Sequence, residues 1–331
     1  MQLDWINLAK MAATWAWGAA RVPYAPKDVS IEPTNLCNYR CSFCPQSDPV
    51  HQKLPSGYMK LEDLDDILEK VQKARAAWHN VINYTHDGEP FIHPEFPEFV
   101  RRATERGFRT RFSSNGSKFT PDKVDALVRM GARFRVSIDF SGSREAFERY
   151  RSKRGDWDKV RKNIAYLIEA SNAHPGVRME ISEISGYVDP EGASRHLERM
   201  KAVLPEPTSD RVRFLVRNFH NAAGLVQLMH PNEKGQTYHR CPYPWVSLNI
   251  AWNGEVHACP RDLRGQTKLG NILEVDRLDE IWNGEAYRRF RQMHVRKEVN
   301  QIAACAGCEL PWRKDPQRWS LKRIYYRIKD E

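Results

Sequence analysis

The sequence predicts an α/β protein in which parallel βα units close into a barrel or partial barrel, followed by a smaller cysteine-bearing unit. Three observations carry this. Six short β-like runs alternate with helical stretches through residues 29–220. A polar stretch with Gly224, Pro231, Asn232 and Gly235 follows at 221–240 and reads as a linker. Four of the seven cysteines then fall within 241–311. At 331 residues and 41% apolar content, the chain is long enough for a large domain plus a small one and too apolar for intrinsic disorder.

Residues 1–28 form a helical extension. Trp5, Leu8, Ala12, Trp15 and Ala19 share one stripe at steps of three and four, as in a helix docked on its own protein. Contact with a membrane interface is the alternative. The uncharged run 11–20 is too short to span a bilayer, and Asp4 ahead of it does not fit a secretory signal. Strands are expected at 29–32, 81–85, 109–113, 133–139, 177–184 and 211–219. Helices are expected between them at 61–77, 95–106, 121–130, 157–170 and 190–204. In such folds the site gathers at the C-terminal ends of the strands. The tail, 312–331, mixes bases with aromatics (Arg318, Trp319, Arg323, Tyr325 and Tyr326 among them) and reads as a solvated helix covering the core.

The net charge of +10, from 52 Lys and Arg against 42 Asp and Glu, admits an anionic substrate, a nucleic acid or an anionic membrane surface. No RNA-binding motif accompanies the basic tail, so no nucleic-acid partner is expected. Cysteines in close sets of three and two make a poor disulfide framework and a plausible metal-ligand set. A reducing cytoplasm is the expected setting for them, with peripheral membrane contact as the variant of that expectation.

The first set, Cys37, Cys41 and Cys44, lies just after the first expected strand in Thr34-Asn35-Leu36-Cys37-Asn38-Tyr39-Arg40-Cys41-Ser42-Phe43-Cys44-Pro45. Three soft thiolates within eight residues suit an iron–sulfur cluster. Three ligands on a four-iron cubane leave one iron open, whereas a structural zinc site is normally closed by a fourth ligand. Cys-x3-Cys-x2-Cys with an aromatic before the last Cys resembles the signature of the radical S-adenosylmethionine (SAM) family. The resemblance implies a [4Fe–4S] cluster on Cys37, Cys41 and Cys44 whose free iron chelates SAM, with Phe43 near the adenine. Three further segments follow in family order. Asp87-Gly88-Glu89-Pro90 resembles the Gly-Gly-Glu-Pro segment that receives the methionine ammonium, with Asp87 in place of the first Gly. Ser113-Ser114-Asn115-Gly116 resembles the Thr-Asn-Gly segment. Ser137-Ile138-Asp139 resembles the Ser-x-Asp segment that contacts SAM, with Phe140 where Gly is usual. The implied SAM contacts are therefore Phe43, Gly88, Glu89, Pro90, Ser113, Asn115, Ser137 and Asp139.

The second set is Cys241, Cys259, Cys305 and Cys308, with Gly254 five positions before Cys259. Four cysteines could close a structural zinc ribbon. Leu269-Gly270-Asn271-Ile272, the Ile281-Trp282 pair and the final Cys-x2-Cys instead resemble the SPASM-type extension of radical SAM enzymes. No cysteine follows Cys308, which matches the shortened "twitch" version with one auxiliary [4Fe–4S] cluster. The resemblance thus implies a partial (β/α)6 barrel at 29–220 and a small C-terminal twitch/SPASM-like iron–sulfur domain at 241–311.

By the same resemblance, SAM is cleaved reductively to a 5′-deoxyadenosyl radical that takes a hydrogen atom from the substrate. The electron comes from an external flavodoxin- or ferredoxin-type donor. A fully ligated auxiliary cluster moves electrons, which favours oxidation of the substrate radical. The spacing of the last four cysteines is similar to that of the 2-deoxy-scyllo-inosamine dehydrogenases, which favours a carbohydrate- or cyclitol-like small molecule. Peptide maturation and modification of a lipid-linked substrate at a membrane are the alternatives. Alcohol oxidation needs a group to orient the substrate or take a proton. Arg211, Arg213 and Arg217 share a face at period two, and Arg217, nearest the strand's C-terminal end, is the expected catalytic residue. Glu180 and Glu183 point to opposite faces, so at most one of them lines the cavity.

Overall fold

The computed structural model describes residues 2–151, 156–183, 192–216, 225 and 237–313. Six parallel strands appear where the periodicity places them: β1 (Asp28–Ile31), β2 (Val81–Tyr84), β3 (Arg109–Ser114), β4 (Phe134–Phe140), β5 (Val177–Glu183) and β6 (Val212–Val216). Their alternation is that of a sheet with one face under helices. Phe112, Val136, Ile138 and Met179 are buried, while Arg111, Ser113, Arg135, Ser137 and Glu180 occupy the opposite, inner face.

Five helices cover the outer face. They are α2 (Leu61–Lys73), α3 (Phe96–Glu105), α4 (Pro121–Arg129), α6 (Trp157–Ala173) and α7 (Ala193–Val203). In α2, Leu64, Ile67, Leu68 and Val71 make the buried stripe. Glu62 and Asp63 in its first turn and Lys70 and Lys73 in its last complement the helix dipole. This helix stops four residues short of the expected end. Arg75 and Ala77 take positive φ, and the chain turns so that Trp78 Nε1 donates to Ala25 O at 2.9 Å. A further helix, α5 (Arg144–Arg151), was not expected and lies just beyond β4. Residue 184, Arg217, most of 221–236 and residues 314–331 of the basic-aromatic tail lie outside the described residues.

The C-terminal part adds β7 (Thr237–Tyr238), α8 (Tyr243–Val246), β8 (Ser247–Ile250), β9 (Glu255–His257) and β10 (Lys268–Asn271). Then come α9 (Leu278–Trp282), α10 (Glu285–Val295), α11 (Ala303–Ala306) and β11 (Trp312–Arg313). Its strands extend the barrel sheet rather than building one apart. β8 pairs in parallel with β1, and β9 and β10 add antiparallel strands, giving the order β10-β9-β8-β1-β2-β3-β4-β5-β6. β7 and β11 pair separately, Tyr238 opposite Trp312, and so bring the two ends of the cysteine-bearing segment together.

The N-terminal helix α1 (Gln2–Trp17) docks on this C-terminal part. Arg240 donates to Ala16 O, Trp245 Nε1 to Ala19 O and Arg291 to Ala20 O, while Asn283 brackets Val22 through its N–H and C=O. The docked face is shifted from the expected stripe. Met11 is the buried anchor, and Leu8, Ala12, Trp15 and Ala19 are part-buried. Trp5 is 53% exposed and Trp17 83%. Its carbonyl acceptors lie at the helix's end and beyond it, so the helix is held chiefly by its last turn.

Candidate active site

The loop after β1 carries the first cysteines and is pinned at its base. Thr34 Oγ1 donates to Gly57 O at 2.6 Å, and Asn35 Nδ2 donates to Pro55 O at 2.9 Å. The segment after β2 lies directly against it. Glu89 N donates to Leu36 O at 2.8 Å, and Gly88 sits at φ +73°. A Cβ at Gly88 would stand 2.4 Å from Thr34 O and 2.7 Å from Leu36 O, so only glycine fits there.

Glu89 also joins the second segment to the third. Its carboxylate is buried and accepts from Asn115 N at 2.6 Å, Ser114 Oγ at 2.9 Å and Phe91 N at 3.3 Å. Burial raises its pKa above the ordinary carboxylate value even against these donors. Asn115 continues the link, donating from Nδ2 to Asn38 Oδ1 at 3.0 Å and lying 4.0 Å from Cys37 Sγ. Three segments remote in sequence thus meet around the cysteine loop. Pro90 begins a short 3₁₀ turn and is buried.

Asp87, the departure from the expected Gly-Gly-Glu-Pro pattern, has a partner. His51 Nε2 and Asp87 Oδ2 are 2.6 Å apart and both side chains are buried. Beside them Glu32, one residue past β1, accepts from His86 Nδ1 at 3.1 Å, Asp87 N at 3.0 Å and Trp252 N at 3.2 Å. Burial acts to raise the Glu32 carboxyl, and these donors outweigh it, leaving it below the ordinary carboxylate range. His86 reaches from this pair to Cys259 O at 3.5 Å, so it spans the space between the two cysteine regions.

At the end of β4 the key partner is Arg151 of α5. Its guanidinium donates to Asp139 O and to Cys41 Sγ, the latter at 3.6 Å. It also lies over the Phe43 ring at 5.5 Å and 3.9 Å from Asp139 Oδ2. Ser137 Oγ donates to Glu180 Oε2 at 3.3 Å, and Ser113 is exposed on the same inner face, opposite Ser137 in register. Phe140, which occupies the place where a glycine was expected, packs against Trp157 at 5.8 Å and against Phe147. Arg151, Glu32, His86 and His51 were not among the expected site residues. The pairing of His51 with Asp87 joins positions 36 residues apart, and no periodicity announces it.

Of the arginines expected on β6, Arg211 caps a helix. It donates to Ser171 O at 2.8 Å and Asn172 O at 3.0 Å, both in the last turn of α6, where cations are favoured. Arg213 is on the inner face, opposite Glu180. Glu183 is buried and accepts from Gly142 N at 3.0 Å, so Glu180 is the one of the pair that faces the cavity side with Ser137.

None of the seven cysteines forms a disulfide. Burial, with Glu89 next, pushes Cys37 up to about 12, and burial with Asp87 pushes Cys44 up. In the second set Cys241, Cys259, Cys305 and Cys308 are all buried. Burial raises Cys259 and Cys305, and each is raised further by Cys241 and Cys308, so the four thiols share one electrostatic neighbourhood. Leu310 N points at Cys308 Sγ at 3.4 Å, and His294 Nε2 lies 3.7 Å from Cys305 Sγ. Seven sulfur donors in two sets, five of them buried and Cys37 and Cys44 part-buried, with N–H donors aimed at some of the sulfurs, fit iron–sulfur ligation. The positive iron would offset the burial that keeps the thiols protonated.

Comparison with known proteins agrees with this geometry. The radical SAM superfamily model matches residues 31–177, and SPASM, an iron–sulfur cluster-binding domain, matches 241–309. A tungsten-containing aldehyde ferredoxin oxidoreductase cofactor-modifying protein from Pyrococcus furiosus is 24% identical, over 86% of this chain and 87% of its own length. The mycofactocin maturase MftC from Mycobacterium tuberculosis is also 24% identical, over 86% of this chain and 76% of its own length. Among solved structures, BtrN in complex with AdoMet and 2-DOIA superimposes with a TM-score of 0.57 at 17% identity, covering 85% of this chain and 92% of BtrN. The enzyme anSMEcpe with bound AdoMet gives 0.58 at 13% identity, covering 92% of this chain and 96% of its own. The chain belongs to the radical SAM superfamily, in its SPASM subgroup, and its cofactors are S-adenosylmethionine and iron–sulfur clusters.

Proposed function

We propose that the chain is a radical SAM oxidoreductase that oxidises a small carbohydrate- or cyclitol-like molecule, passing the substrate electron to an auxiliary [4Fe–4S] cluster. When bound, SAM and the first cluster supply a 5′-deoxyadenosyl radical able to take hydrogen from an unactivated C–H. Cys37, Cys41 and Cys44 would hold that cluster, and Cys241, Cys259, Cys305 and Cys308 the auxiliary one. Gly88, Glu89 and Asn115 shape the loop around the first set. Ser113, Ser137 and Asp139, with Phe43 and Pro90 nearby, are assigned to the SAM-binding surface. Arg151 orients Asp139 and donates to Cys41, a sulfur contact of the kind that tunes cluster potential.

The observation that carries the reading is the burial and mutual electrostatic influence of the four C-terminal thiols. A set that closes every iron leaves no position for substrate and is suited to moving electrons. An external donor of flavodoxin or ferredoxin type belongs to the same reading, and the net charge of +10 supports an acidic one. The test is an iron and sulfide count on anaerobically reconstituted protein. About eight irons per chain are expected, falling to about four in Cys305→Ala while 5′-deoxyadenosine formation persists. Zinc in the second site would overturn the oxidation argument.

A second reading, modification of a peptide, is favoured by the similarity to the maturase MftC over 86% of this chain. Products discriminate the two. A two-electron-oxidised small molecule supports the first reading, and a modified peptide supports the second.

A further inference from the structure

We propose that the outward face of α1 is a docking surface for an anionic membrane, on which the helix lies flat while its other face stays packed on the protein.

The first argument is the distribution of apolar side chains around the helix. At about 100° per residue, Leu8, Met11, Ala12 and Trp15 fall on the docked side, with Met11 buried. Ile6, Ala9, Ala13, Ala16 and Trp17 fall on the opposite side, in an arc about 120° wide. Ile6 is 56% exposed and Trp17 83%. A helix with one face packed normally turns charged and polar residues to solvent. Here Lys10, at the edge of the arc, is the only charged side chain from Ile6 to Trp17. The two large side chains stand 11 residues apart, about 16.5 Å along the axis, with a ridge of alanines between them. A tryptophan suits the membrane boundary, because its ring is apolar and its N–H is polar.

The second argument is charge. No acidic residue occurs between Asp4 and Asp28. Lys10 and Arg21 are exposed, and their side chains make no ion pair among the described residues. Gly18, next to Trp17, lies against α10, where an added Cβ would come within 2.7 Å of Val295 Cγ2. The two residues after that valine, Arg296 and Lys297, are also exposed and make no ion pair among the described residues. Two cations of the helical segment and two beside its C-terminal end therefore accompany the apolar face. They belong to a chain of net charge +10. Basic residues beside an apolar helix face are drawn to anionic lipid headgroups.

The same charges decide against a second copy as the occupant. A two-fold contact through this face would bring its basic residues together with their own copies. Five side chains also fall well short of the roughly 20–30 residues a side that a stable protein interface uses. No described helix is long and apolar enough to cross a membrane, so the contact is with the surface.

The test is co-sedimentation of the reconstituted chain with vesicles, of phosphatidylcholine alone or mixed with phosphatidylglycerol. Binding to the mixed vesicles is expected, weakening as salt is added, with affinity for phosphatidylcholine alone about tenfold lower or less. Ile6→Ser combined with Trp17→Ser should weaken binding to the mixed vesicles by about tenfold or more. The thermal midpoint should not change, because both side chains are exposed. Lys10→Glu combined with Arg21→Glu should weaken binding by a similar factor and flatten its salt dependence. Absence of binding to the mixed vesicles overturns the proposal. So does equal binding to both vesicle types, wild-type binding by either double variant, or a lowered midpoint in both, which would mark the face as packed on the protein itself. A dimer that the serine variant dissolves would assign the face to a second copy and overturn it too. None of these readouts depends on SAM cleavage, so the radical SAM reading stands or falls separately.

Discussion

The Glu89 carboxylate accepts the backbone N–H of Asn115 at 2.6 Å, and this bond ties the segment after the second strand to the one after the third. The same carboxylate holds Ser114, while the Glu89 backbone holds Leu36 of the cysteine loop. A hydrogen bond to a buried charged group contributes about 1.5–3 kcal/mol. Glu89→Gln should therefore cost about that much in stability and weaken SAM binding by about tenfold or more. Chemical denaturation and equilibrium SAM binding on the reconstituted protein measure the two effects.

Gly88 makes a sharper case. Its φ of +73° and the 2.4 Å approach that a Cβ would make to Thr34 O both involve backbone, so neither relaxes by a rotamer change. Gly88→Ala combines left-handed strain of about 1–2 kcal/mol with overpacking of about 1–3 kcal/mol. The expected result is a displaced cysteine loop, with iron loading of the first site reduced and the second site filled. Iron counts and the electron paramagnetic resonance of the reduced protein report this.

Arg291 is buried and anchors the N-terminal segment. It donates to Pro244 O and Ala20 O at 2.8 Å each, and its guanidinium lies 4.4 Å from the Trp282 ring centroid. Burial lowers its pKa to about 10, so it remains charged at neutral pH. Arg291→Ala leaves those two carbonyls without their donor and is expected to cost about 1–3 kcal/mol for each. Limited proteolysis should then cut within the first 25 residues well before the barrel is attacked.

His93 supplies a pH test. Its ring Nε2 lies 2.9 Å from Met59 O while Nδ1 accepts from Glu95 N, an arrangement that requires the neutral ring. Burial lowers its pKa below the ordinary 6.5. The unfolded chain binds this proton first, so its contribution to stability is complete above pH 6.5 and declines as pH falls toward the folded-state pKa. His93→Gln, which can still donate to Met59 O, should show a shallower loss of stability between neutral pH and the acid range. Denaturation midpoints across that range check the slope.

The partial barrel was legible because its strands and helices follow different periods. Val-, Ile- and Phe-rich runs at period two alternate with stripes such as Leu64, Ile67, Leu68 and Val71. The cysteines and the segments around Gly88, Asn115 and Asp139 were legible as well, since local spacing carries their chemistry. The extension of the barrel sheet by β8, β9 and β10 was not, because pairing Val29 with Leu248 is a choice among partners more than 200 residues apart. The same holds for α1. Its helical period was readable, while the rotation that buries Met11 and exposes Trp5 depends on the surface it meets.

Residue type and spacing by themselves determined the class of chemistry, for three cysteines within eight residues and four more after residue 240 have few other uses. Tertiary structure alone decided what surrounds them. It brought Arg151 to Cys41, His51 to Asp87 and Glu89 to Asn115, and it stacked Arg111, Arg135 and Arg178 side by side. The physical reason is range. Metal-ligand spacing and helical period act over a few residues, whereas a buried charge is satisfied by whichever partner the packed fold delivers to it.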